Sequence, residues 1–266
     1  MFSFKQHVQG FIDTTSLKGL IKGIQDFDIG IDICNTSKSI SAVFPPTKRL
    51  GKHAEFLFEE ILKSAKNVKL LGSNIPLRNA ERTIGEIDYI LQTKSGVVHL
   101  ELATKFYLFD ESLDSANMNQ WIGPNRKDFL HLKVSKLQHH QFPIIASNEF
   151  QEYIQSSKIP EPTGQSLLLK AQLFTPLNIK HELPDNYKDC IVGNWLTLEQ
   201  FNGLHQESFF MPNKQDWFIH PNENNKWVSK QECFTQIKAA HSRAFSPMIW
   251  IKNQIGTTSK AFVVWW

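Results

Sequence analysis

Between residues 84 and 108 polar and apolar positions alternate with a period of two, interrupted once by a polar turn. The alternation predicts a hairpin: strands over 84–91 and 97–108, joined at 92–96. In the second strand Val98, Leu100, Leu102, Phe106 and Leu108 form a nearly continuous apolar face. The opposite face carries His99, Glu101, Ala103, Lys105 and Tyr107. In the first strand Glu86 and Asp88 share a face with Ile84 and Ile90, leaving Ile87, Tyr89 and Leu91 on the other. Acids from neighbouring strands therefore meet on one side of a sheet, with a lysine beside them.

Helical spacing appears on both sides of this hairpin. Leu50, Ala54, Leu57, Phe58, Ile61, Leu62 and Ala65 recur at three- and four-residue intervals, predicting a helix to about Ala65 with Thr47 as its cap. Glu55 falls at the edge of that stripe and Glu60 lies away from it. Such an edge carboxylate borders a cleft or is simply a solvated helix glutamate. A second helix is expected over 126–141, with Leu130, Val134 and Leu137 as its stripe, Lys133 on the flank and Gln141 on the stripe itself. Lys133 there either serves a cleft or snorkels to water. His139 and His140 are adjacent and share no helix face, so they read as surface residues.

Elsewhere the pattern is weaker. One or two short helices are expected around Phe11–Ile24 positions, a short strand at 29–33, and a stop at Pro45-Pro46. Residues 68–71 read as a strand, followed by a Gly-Ser-Asn turn. A polar loop spans 110–125 and a turn-rich link 156–164. Beyond it, strands are expected at 167–174, 191–196, 247–251 and 261–264, and helices at 198–205, capped by Thr197, and within 226–237. The Trp-rich C-terminal part reads as core in preference to a base-stacking surface. Together these elements predict an α/β fold in three parts: an N-terminal extension over 1–47, a core over 48–145, and an α+β C-terminal extension over 146–266 that belongs to the same globular unit.

Composition narrows the class. A hydrophobic share of 41% and a charged share of 21% describe a globular chain and exclude a disordered one. A net charge of +3 gives no global signal for nucleic acid, although a local basic groove is compatible with it. Cys34, Cys190 and Cys233 are scattered and odd in number, without metal-ligand spacing, which points to a reducing compartment. No apolar run reaches membrane-spanning length, and the N-terminus lacks the order of a secretory signal, so a soluble cytoplasmic protein is expected.

The chemistry available to the hairpin is that of a hard divalent ion. Mg²⁺ or Mn²⁺ prefers carboxylate oxygens and keeps several waters. Asp88 and Glu101 can hold such an ion, with the carbonyl of Leu102 as a further ligand. A lysine nearby would position a nucleophile or stabilise developing negative charge.

The order of these parts resembles the PD-(D/E)xK nuclease superfamily. The matching pieces are Glu55 on the first helix, Gly85-Glu86-Ile87-Asp88 on one strand, Glu101 on the next, and the helix over 126–141. The resemblance covers about residues 48–145. It implies a restriction-endonuclease-like core, metal-dependent phosphodiester hydrolysis, and nucleic acid as partner, DNA ahead of RNA. It assigns metal ligation to Asp88, Glu101 and Glu55. Glu86 and Gln141 would support them. The superfamily lysine, two residues after the glutamate, is Ala103 here; Lys105 lies two further along, its Cα roughly 13 Å from that of Glu101. Lys133 is the alternative donor. The substitution at Ala103 keeps open a second reading, a catalytically inactive module that binds nucleic acid or a protein partner. A third leaves the acids as a solvated sheet face. The chain as a whole is also similar to a bacterial family known as domain of unknown function 1853. That likeness rests on residues 49–55 (RLGKHAE), 85–88 (GEID), 99–108 (HLELATKFYL), 121–128 (WIGPNRKD) and 261–264 (AFVV).

Overall fold

The computed structural model describes residues 2–29, 44, 49–113, 117–179, 182–205 and 208–266. Its central element is β4 (Gly96–Phe109), whose two faces are both buried. A strand covered on both sides reads as an apolar run, and β4 departs from that rule only at its few polar positions. On one edge it pairs antiparallel with β3 (Thr83–Thr93), and β3 with β2 (Lys69–Arg78). On its other edge it runs parallel to β6 (Gly164–Pro176) for eleven residue pairs from Val98 to Leu108. The sheet continues through β7 (Ile191–Leu196), β10 (Thr258–Val263), β9 (Met248–Lys252) and β8 (Ser208–Phe210). Two short strands, β1 (Gln25–Asp26) on β6 and β5 (Trp121–Ile122) on β4, complete a ten-stranded mixed sheet.

Helices cover both faces. On one, α1 (Phe4–Asp13) and α2 (Leu50–Lys63) pack Phe11, Leu57, Phe58 and Ile61 against Leu100, Leu102, Phe106, Leu168 and Phe262. On the other, α3 (Leu130–Lys136) and the turn after it press Leu130, Val134 and Leu137 onto Ala103, Tyr107, Leu169 and Leu173. The His99–Tyr107 face is therefore interior, and any charge on it is exposed to little water.

Several expectations shift. The helix predicted over 126–141 begins at Leu130, because the Arg126 N–H donates to Gly123 O and the Gly123 N–H to Asp128 O, closing a turn with Arg126 at φ +56°. Past Lys136 the helix widens into a π turn, Leu137–Gln141, and then tightens to a 3₁₀ segment, Phe142–Ala146. The turn expected at 72–74 is a bulge inside β2: the register slips between Leu70 and Gly72, and the strand continues through Asn74 at φ +49°. Near the N-terminus one helix forms, capped by Ser3 and Gln6, while Leu17 and Ile21 are buried in a segment anchored to β6. Residues 30–33, Pro45-Pro46 and Thr47 lie outside the described residues, and α2 starts after Arg49.

Of the C-terminal elements, α4 (Asn148–Ser157) was invisible to periodicity; it buries Phe150 beside Ile75, Ile87 and Ile90. The predicted helix at 198–205 is the shorter α6 (Leu198–Asn202), with Thr197 and Gln200 forming a capping box. It follows α5 (Asp185–Lys188) and precedes α7 (Lys230–His241). Trp217 and Trp250 are core, as expected, while Trp265 is exposed. No helix among the described residues is long and apolar enough to cross a membrane.

Candidate metal centre

The acids sit where β3 and β4 part. Their ladder ends at Tyr89 opposite Leu100, one step short of Asp88 and Glu101. Beyond that point Asp88 Oδ2 accepts the Leu102 N–H at 2.9 Å, so a side chain replaces the lost ladder bond. The divergence opens the sheet at the two carboxylates.

Glu101 is 1% exposed and held from both sides. Its Oε1 lies 3.0 Å from His99 Nε2, and its Oε2 accepts from Gln141 Nε2 at 3.0 Å. The tautomer of His99 follows from its other neighbour. Gln165 Nε2 donates to Phe142 O at 2.7 Å and faces His99 Nδ1 at 3.1 Å. Its two hydrogens serve those two acceptors, so His99 Nε2 carries the proton that Glu101 accepts. Gln141 also reaches Glu86 O at 3.4 Å, clamping the π turn to β3. The widened turn is what brings Gln141 over the acid; such turns recur at functional sites.

Charge around the pair is unbalanced. Burial, then the neighbouring Glu101, push the Asp88 carboxyl up to about 7; the Leu102 N–H and, after Glu55, Lys133 act on it more weakly. Lys133 is half-buried, and burial lowers its pKa, with Glu101 drawing it back and Lys105 adding to the fall. The two carboxylates repel each other in a partly dry site, and this outweighs the opposing charge of Lys133 on Asp88.

The other residues singled out from the sequence fall into two groups. Glu55, on α2, faces the same cleft and is bonded by Lys52 at 2.6 Å. Lys52 Nζ also reaches Asn74 Oδ1 at 3.0 Å and lies 3.6 Å from Glu86 Oε1. Burial opposes the Lys52 charge, but the Glu55 bond and the charges of Glu55, Glu86 and Asp88 outweigh it and raise its pKa. Lys105 is near enough for its charge to act on Lys133, but its ammonium is bonded to Asp128 Oδ2, which also meets the Tyr107 hydroxyl at 3.5 Å. The fold thus gathers Asp88, Glu101, Glu55, Glu86, Lys133 and Gln141, and ties Lys105 to the turn before α3.

Four participants were not assigned roles from sequence: His99, Gln165, Lys52 and Asp128. His99 sat visibly on the acid face, and Lys52 lies one turn before Glu55, so both had a local signal. Gln165 and Asp128 are brought in by the β4–β6 pairing and the 123–128 turn, which no local pattern announces.

The donor set suits a hard cation. Asp88 Oδ1 has no protein partner among the described residues, and each Glu101 oxygen keeps a lone pair beyond its single hydrogen bond. Among the described residues no three His, Cys, Asp or Glu side chains form a ready-made cage. A Mg²⁺-type ion needs only one or two carboxylates, because waters fill its remaining positions.

No curated protein and no solved structure matches the chain. The sequence profile described as "Domain of unknown function (DUF1853)" matches residues 34–264, a span that contains every side chain of this cleft. The chain therefore belongs to the DUF1853 family.

Proposed function

We propose that this protein is a metal-dependent nuclease-like hydrolase acting on phosphodiester bonds, with β2–β4, β6, α2 and α3 as a restriction-endonuclease-like core. The observation that carries the reading is the Asp88–Glu101 pair. A buried carboxylate, Glu101, and a half-buried one, Asp88, are held against mutual repulsion at a strand divergence by His99, Gln141 and the Leu102 N–H. Folding alone would favour apolar residues there.

Asp88 and Glu101 would hold Mg²⁺ or Mn²⁺, with Glu55 reaching the ion through water. The bound ion would lower the pKa of a water and offset charge on a phosphate oxygen. His99 and Gln141 keep Glu101 in one orientation. Lys133, half-buried and without an ion pair to any described residue, stands ready for an anion, the part assigned to the superfamily lysine. Lys52 holds Glu55 and Glu86 at the cleft mouth.

The test is incubation of the purified protein with labelled DNA and RNA, with Mg²⁺, with Mn²⁺ and with EDTA. Metal-dependent cleavage that disappears in Asp88→Ala and in Glu101→Ala supports the reading; cleavage at the wild-type level in both variants rejects it. A second reading, a binding module without turnover, draws on the Lys105–Asp128 bond, which engages the lysine that lies nearest the superfamily position in sequence. It requires nucleic-acid or protein binding that persists in EDTA, with no cleavage under any metal.

A further inference from the structure

At the hairpin-turn end of the sheet lies a cleft of about 520 Å³. Asp88 precedes Thr93, on its lining, by five residues along β3, roughly 17 Å of strand, so this cleft is separate from the carboxylate pair. Several elements build it. The segment after α2 gives Lys66 and Asn67, the start of β2 gives Lys69, and the β3–β4 turn gives Lys94. Lys63, at the end of α2, is the fourth lysine on the lining. The turn that carries Lys94 is braced: Thr93 Oγ1 accepts the Ser95 N–H at 3.2 Å and donates to Gly96 O at 2.9 Å.

The charge of this lining is one-sided. No Asp or Glu among the described residues takes part in it. Lys63 is paired with Glu60, whereas Lys66, Lys69 and Lys94 are exposed and make no ion pair with a described residue. Those three ammonium groups equal the net charge of the whole chain, +3, gathered in one concavity. A cleft lined by one sign of charge focuses the field and concentrates counter-ions. The carbonyl end of α2 accounts for a cation in its last turn, which Lys63 supplies, but that field fades within the turn. It does not account for Lys94, which arrives from the β3–β4 turn.

A second cleft, of about 350 Å³, adjoins the first: Lys66, Asn67, Val68, Thr93 and Lys94 line both. Its other side combines apolar Phe27 and Val98 with Gln25 and Ser166. The acids there are engaged, Asp26 by the Gly19 N–H and Asp28 by Lys18. Both volumes fall in the small-molecule range, about 300–1,000 Å³.

We propose that the lysine cleft binds a triphosphate group, with Lys66, Lys69 and Lys94 meeting its phosphate oxygens. Lysine serves phosphate as a mobile point charge, and several unpaired lysines suit a chain of phosphates better than a single one. Two sources carry that group, a nucleoside triphosphate and free inorganic triphosphate. The adjoining cleft has the mixed apolar and hydrogen-bonding lining that a nucleoside needs. The proposal is independent of the nuclease reading.

The experiment is isothermal titration calorimetry of the full chain at low salt with ATP, inorganic triphosphate and orthophosphate. EDTA is present, so that no metal joins the acid pair. Both triphosphates should bind, and orthophosphate about tenfold more weakly or worse. Lys66→Ala with Lys94→Ala should weaken both triphosphates about tenfold or more, and Lys94→Glu, which reverses a charge, should also weaken them. Lys5→Ala with Lys127→Ala, at exposed lysines on neither lining, should leave affinity unchanged. Tighter binding of ATP than of inorganic triphosphate supports the proposal with a nucleotide as the source; equal affinity supports it with the free anion. Failure of both triphosphates to bind overturns it, as does wild-type affinity in the double variant. Wild-type affinity with a lowered melting temperature would reassign these lysines to the end of α2. A labelled DNA strand that binds more tightly than either triphosphate, and is lost in the same variant, also overturns the proposal by giving the lysines to nucleic acid.

Discussion

The two faces of one sheet bury opposite charges, and they do so in different ways. Under α1, Lys170 and Lys260 are 6% and 4% exposed. Lys170 donates to Ile12 O and Thr14 O, the carbonyls at the end of α1. Lys260 donates to Trp217 O and Gln172 Oε1, with the Phe106 and Trp250 rings beside it. Their acceptors are mainly backbone, so each lysine pins a segment to the sheet. Under α3, Asp88 and Glu101 are met mostly by side chains, retain free lone pairs, and repel each other. A buried charge saturated by the backbone is building material. A pair of mutually repelling carboxylates with free lone pairs, at an opening in the sheet, is a candidate ligand site.

The contrast can be broken most forcefully at the acids. Glu101→Ala should lower cleavage by about 10²–10³-fold or more, on the order of 3–4 kcal/mol of transition-state stabilisation, measured as the Mg²⁺-dependent rate. Lys170→Ala should instead cost stability, about 2–4 kcal/mol in urea unfolding, since two buried carbonyls lose their donor. Cleavage below its melting transition should be little affected. His99→Ala should weaken Mn²⁺ binding about 10–100-fold, read by isothermal titration, with substantial recovery in His99→Gln, whose amide can still donate to Glu101.

The pH dependence sharpens the comparison further. Burial lowers the Lys260 pKa to about 7 from 10.5. Between those values the unfolded chain binds more protons than the folded one, so stability should rise with pH through that window. Below about 7 the ammonium is charged in both states and the full penalty of burying it applies. Lys260→Met should flatten that rise in melting temperature. The smallest effect runs the other way. Asp88→Asn removes one of two repelling charges and keeps an acceptor for the Leu102 N–H. It should raise the melting temperature of metal-free protein by a degree or two, about 0.5 kcal/mol, while abolishing Mg²⁺-dependent cleavage. A fall in melting temperature would mean that the pair supports the fold instead of straining it.

Much of this architecture was written locally. The hairpin at 84–108, α2, and strands β6, β7, β9 and β10 follow from periodicities of two and 3.6, because each places an apolar row against a core. α4 was missed because its short sequence is largely polar, with only Phe150 fully buried. The bulge in β2 was misread because Gly72-Ser-Asn is turn chemistry in isolation; pairing with β3 and the Lys52–Asn74–Glu59 bonds hold it extended. Ile87 packs with Ile90 and Ile144, not with Tyr89, so strict alternation fails just where the strands diverge.

The candidate site divides along the same line. By itself the sequence determined which residues can carry the chemistry: two acids on adjacent strands, a glutamate on the preceding helix, lysines nearby. Side-chain alternation is a local property, so those assignments needed no fold. Tertiary structure alone decided which of them come together. It ended the β3–β4 ladder one pair early, turned the Asp88 carboxylate onto Leu102, and brought Gln165 from β6 to orient His99. It also bonded Lys105 to Asp128 and left Lys133 facing the acids. Those outcomes depend on strand register, a widened helical turn and a tight loop at 123–128. Each is set by packing between elements far apart in the chain, and no local pattern of residues encodes it.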